Sequence, residues 1–175
     1  DNCLLRDNEV LATDGSLIGT NMRGIELTGS ENCTLCCNIT DGTQIGNFFM
    51  GACGNTKLRH AQLNDHFTGL LCSDIGTVIG DQEWAGNQWL GDYENIGALH
   101  WGSDANIEGS EFFIEGPETT NFWPPSRWPD DDDVWFRKFS GNSQPCGPSD
   151  ANCPNLPPFS AGGPRDLTNE TARAA

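Results

Sequence analysis

With 9 basic against 25 acidic side chains, this chain of 175 residues carries a formal charge of −16. That balance excludes a nucleic-acid backbone as partner, because holding phosphates needs clustered Lys and Arg. A hydrophobic fraction of 36%, with 21 Gly and 10 Pro, predicts one small loop-rich domain or a domain with a module attached, and no apolar run approaches the roughly 18 residues that cross a bilayer.

Short strand-like runs recur along the chain, each bounded by Gly, Asp or Asn: 9–12, 24–27, 46–50, 67–71, 76–79, 96–101, 111–114 and 134–139. Such spacing, with turn residues between, predicts a mainly β fold. One or two short helices are expected, at 31–38 behind Ser30 as N-cap, and at 57–63. The predicted whole is a small, sandwich-like, disulfide-stapled β domain with an extended C-terminal tail. Its regions are a Cys-rich part (1–73), a Trp-rich β part (74–140) that can share one core with the first, and a Pro/Gly-rich tail (141–175).

The cysteines are unevenly placed. Cys3, Cys33, Cys36, Cys37, Cys53 and Cys72 precede the Trp-rich region, and Cys146 and Cys153 close a short loop in the tail. An even number so arranged predicts a disulfide framework, an oxidising compartment and therefore secretion, with Asp1 as a mature N-terminus. All eight are expected in disulfides, with Cys146 bonded to Cys153 because Pro145 and Pro154 hold the loop ends close. Sequons at Asn32, Asn38 and Asn169 are candidate glycosylation sites in a eukaryotic source.

Cys33 and Cys37, an aromatic run at 46–50, Cys53 followed by Lys57-Leu58, and Phe67-Thr68-Gly69 leading to Cys72 form an order that resembles a PAN/apple domain over residues 3–72. The resemblance implies a Cys-x3-Cys helix, a closing bond between Cys3 and Cys72, and an extracellular module that binds protein or carbohydrate without catalysis.

Several constellations bear on chemistry. Cys33-x2-Cys36 is half of a zinc site without a second pair, so a disulfide role is favoured. His60, His66 and His100 share no face by spacing and read as surface or hydrogen-bonding histidines. Asp130, Asp131, Asp132 and Asp133 are candidate Ca²⁺ ligands, set against a solvated acidic turn; no other cofactor is expected. Of the six Trp, Trp89 and Trp101 fall in strand patterns and are assigned to the core. Trp123 and Trp128, flanked by prolines, are candidates for an exposed ligand or partner patch. Asp92, Asn95, Asp104 and Glu108 lie near enough in sequence to orient a sugar stacked on indole, and Glu108, Glu111 and Glu115 could supply a glycosidase pair.

The reading that follows is a secreted structural or interaction protein, not an enzyme. It would self-assemble or bind another extracellular protein, with its tail laid on a neighbour through Leu156 and Phe159. Two alternatives stand beside it: a carbohydrate-binding module using exposed Trp, and a secreted glycoside hydrolase or metal enzyme. A shallow groove with exposed Trp favours the first alternative. A deep pocket of converging carboxylates or histidines favours the second.

Overall fold

The structure, a computed structural model, describes residues 3–12, 21–83, 85–130 and 134–139. It is mainly β, and the described strands pair in parallel as the turns of a β-solenoid. The first coil holds β1 (Cys3–Arg6), β2 (Glu9–Leu11) and β3 (Arg23–Thr28). The second holds β4 (Cys33–Cys36), β5 (Ile39–Asp41) and β6 (Ile45–Met50). The third holds β7 (Lys57–Arg59) and β8 (Gln62–Cys72), the latter long enough to cover two faces. The fourth holds β9 (Gln82–Glu83), β10 (Gln88–His100) and the short helix α1 (Asp104–Glu108). β11 (Phe112–Glu115), β12 (Arg127–Trp128) and β13 (Phe136–Phe139) complete the stack. Each strand sits on its counterpart one coil away: β1 on β4 on β7, β2 on β5 on β8 on β10 on β12, β3 on β6 on β8, and β9 on β11 on β13.

Residue type explains where the coils turn. Asp7, Cys37, His60 and Gly86 occupy the same corner in successive coils, all with positive φ; Gly42, Asp65 and Gly91 occupy the next corner in the same way. Asn, Asp and Gly enter that backbone region most cheaply. The composition that reads as loop is therefore the composition of corners. Amide side chains reinforce the stacking. Asn8 donates from its backbone N and Nδ2 to Asn38 Oδ1 (3.0 and 2.9 Å), and Asn38 Nδ2 donates to the Leu5 carbonyl.

Between corners the inward positions form ladders through the core: Ile25, Asn47, Leu70 and Ala98 along one row, and Leu27, Phe49, Cys72 and His100 along the next. One buried cluster runs from Ile25 to Phe136, closed at its far end by Trp135 and by Phe112 stacked on Phe136 with ring centroids 4.7 Å apart. Gly24, Gly46, Gly69 and Gly97 stack at a single register. A Cβ on Gly69 would lie 2.5 Å from the Gly97 carbonyl oxygen, and one on Gly46 2.6 Å from that of Gly69, so no larger residue fits without parting the coils.

Several expectations are corrected. The strands coil in parallel instead of forming a sandwich; short alternating runs look the same in both architectures. The helix expected at 31–38 is β4, the corner at Cys37 and Asn38 just before β5. The one expected at 57–63 is β7, the corner at His60 and the start of β8. An inward strand position followed by a corner brings cysteines to the core at the spacing of a helix face. At 76–79 only Val78 pairs, as an isolated bridge to Ala52. The cysteines also differ from expectation. Cys3 bonds Cys33, directly across the β1–β4 pair, and not Cys72. Cys53 and Cys72 are free, buried thiols. Cys36 and Cys37, with sulfurs 3.7 Å apart, are not among the free thiols. Cys146, Cys153, Leu156, Phe159, Asn169 and Asp131, Asp132 and Asp133 lie outside the described residues.

Candidate functional site

The exposed aromatic surface is set by strand parity. On β10, Ala98 and His100 point inward, so Leu99 and the following Trp101 point outward. Trp128 pairs with Leu99 in register and shares that outer face, while its neighbour Arg127 turns inward. Trp101 and Trp128 are 59% and 57% exposed, a large fraction for indole. Arg127 anchors the strand from within. Its guanidinium lies 3.6 Å from Glu118, 3.7 Å from Asp130, and over the Trp123 ring.

The chain then leaves β10 and forms α1, which supplies the opposite wall. Ile107 is buried beneath it, and Asn106 donates through Nδ2 to the Ile75 carbonyl, tying the helix to the preceding coil. Asp104 and Glu108, four residues apart, share one helix face. Together the two walls enclose an open groove of about 450 Å³, lined by Trp101, Asp104, Glu108, Trp128 and Pro129, with His100, Ile107 and Val134 beneath.

His100 is structural in this floor. Gly102 N donates to its Nδ1 (2.9 Å), so the proton belongs on Nε2, which faces Ser110 Oγ at 3.4 Å. Ser110 Oγ in turn donates to the Asn106 carbonyl and accepts from Ile79 N. Burial holds the imidazole down at about 4, well below its ordinary value. His66 is similar. Asn64 N donates to Nε2, Nδ1 faces the Thr43 carbonyl, and burial again lowers the ring to about 4. His60 is buried at its corner, so the three histidines sit on separate elements.

Among the predicted site residues, Trp128 is exposed as expected. Trp101, assigned to the core, is outside it. Trp123, offered as a contact, is 3% exposed and packs beneath Arg127, with Nε1 donating to the Gly116 carbonyl. Glu111 is engaged by Arg137 at 2.7 Å, and removal from water raises its carboxyl above the ordinary value despite that guanidinium. Asp130 lies beside Arg127, and among the described residues no group of three or more His, Cys, Asp or Glu converges as a metal site. Of the sequons, Asn32 is exposed. Asn38 is 2% exposed and fully engaged between coils, so a glycan there is incompatible with the stack. Parity at the end of β10 was the signal for Trp101: counting outward from the inward Ala98 places it on the surface.

Comparisons with family models, with curated proteins and with solved structures find no match for this chain.

Proposed function

We propose that this chain is a secreted carbohydrate-binding protein whose solenoid presents the Trp101–Trp128 groove to a glycan. The observation that carries this reading is two exposed indoles beside carboxylates in an open, shallow depression. Indole faces stack on the apolar faces of pyranose rings, and a few polar groups then fix orientation. The groove volume falls within the range of about 300–1,000 Å³ usual for small-ligand sites. Binding is favoured over hydrolysis because Glu111 is committed to Arg137 and the His100 ring is held by its neighbours. The assembly reading rests on residues 141–175, outside the described residues.

Affinity electrophoresis through gels containing soluble polysaccharides tests the proposal. At least one glycan should retard the native chain, and Trp101→Ala and Trp128→Ala should each weaken retardation at least tenfold without changing the far-ultraviolet spectrum. Unretarded migration across neutral and charged glycans alike would sink the proposal.

A further inference from the structure

Resting on that reading, we infer that the groove selects glycans bearing free amino groups, that is, chains rich in unacetylated amino sugar. Asp104 and Glu108 line the groove from one helix face, and among the described residues no hydrogen bond or ion pair engages either carboxylate. The opposite wall offers two indole faces. A ligand ammonium between these walls gains charge-assisted hydrogen bonds from the carboxylates and attraction to the indole quadrupole, while its ring stacks on Trp. The charge of −16 disfavours uronic or sulfated polymers by repulsion and draws polycations to the surface.

The edge beside the groove argues for a glycan over a basic peptide. Peptides commonly bind an exposed strand by adding to its backbone hydrogen bonds. Among the described strands β12 is such an edge, but Pro124, Pro125 and Pro129 flank it and supply no N–H donors. The groove therefore recognises through side chains. From strand geometry Trp101 and Trp128 lie about 8 Å apart at Cα, two residues along and one strand across, a span suited to rigid rings.

Isothermal titration of the full chain tests the inference, at a pH where sugar amines are protonated. The probes are the glucosamine hexasaccharide, the N-acetylglucosamine hexasaccharide, cellohexaose and a lysine hexapeptide. The glucosamine chain should bind at least tenfold more tightly than either neutral chain, with an affinity that falls as salt rises. The double variant Asp104→Asn/Glu108→Gln should erase that preference, bringing the glucosamine chain to the affinity of the neutral chains; Trp128→Ala should weaken every saccharide. Equal affinity for charged and neutral chains would overturn the amino-sugar inference and leave the glycan reading standing. Binding of none of the saccharides would likewise overturn the amino-sugar inference, while the glycan reading falls only with unretarded electrophoresis. A lysine hexapeptide binding as tightly as glucosamine would make this a general polycation groove and overturn the inference as well.

Discussion

Replacing Gln82 by Met should destabilise the protein by roughly 3–5 kcal/mol, because this one side chain stands in for a strand at the junction between the third and fourth coils. β7 and β9 stack there with few backbone bonds, His60 N to the Ala85 carbonyl among them. The gap is bridged by buried amides. Gln82 Oε1 accepts from Leu58 N (2.8 Å), and its Nε2 donates to the carbonyls of Thr56 (2.8 Å) and Gly80 (2.7 Å). Asn87 completes the bridge, accepting from Ala61 N and donating to the Leu58 carbonyl. Gln82 is 2% exposed, so water cannot take its place. Methionine preserves the volume and removes all three bonds. A buried group left unsatisfied costs about 1–3 kcal/mol; the orphaned Leu58 N–H should take the full cost and the two carbonyls less, since each oxygen can accept elsewhere. Urea unfolding should show a lowered midpoint at unchanged m-value, and hydrogen exchange should show lost protection at the Leu58 amide. Gln82→Glu keeps the acceptor and sets a carboxylate against two carbonyls, so it should be no milder. A loss below about 1 kcal/mol for Gln82→Met, with Leu58 still protected, would show that the coils are joined by other contacts and would refute the reasoning.

Stability should also fall as pH drops from about 6.5 to about 4. His66 and His100 stay neutral in the folded state down to about 4, whereas an unfolded imidazole binds its proton below about 6.5. In that window the unfolded state holds more protons, so each ring withdraws on the order of 3 kcal/mol by its lower end; NMR titration showing either ring charged in the native protein at pH 5.5 would contradict this. Among the cysteines, peptide mapping without reduction should find Cys3 joined to Cys33, and Cys53 and Cys72 should alkylate only after denaturation, since burial pushes the Cys72 thiol well up. Reducing the Cys3–Cys33 bond, which closes a separation of 30 residues, should cost about 3–4 kcal/mol by loop entropy, and an unchanged melting temperature after confirmed reduction would count against it.

The strands were largely legible in the sequence and their arrangement was not. The runs at 9–12, 24–27, 46–50, 67–71, 96–101 and 111–114 each overlap a strand of the structure, because alternation over a half-buried face is a local property. Parallel pairing is not local. Partners lie from 22 residues apart (Arg23 and Ile45) to 30 apart (Cys3 and Cys33), so no fixed period marks the coils. The repeat is visible only as recurrent chemistry: a glycine at 24, 46, 69 and 97, each opening an inward row. Such a glycine reads as a turn in isolation and as a close approach of backbones only when its counterparts are aligned.

The groove shows why the outer surface of a solenoid escapes the same reading. Core positions are over-determined, since each inward residue must fit the residues above and below it in the ladder. Outward positions carry no such constraint, so their chemistry is free to vary, and their grouping depends on which coils meet. Trp101 and Trp128 are separated by 26 residues of chain, yet the pairing of Leu99 with Trp128 makes them neighbours. Trp123 carries the same proline-flanked signature as Trp128 and is buried, because Arg127 turns inward to cover it while the next residue turns out. Exposure of Trp128 is therefore decided by alternation along β12, not by its flanking proline. The indoles and the carboxylates of α1 line one groove only because one coil, by stacking on the next, lays β12 beside the end of β10.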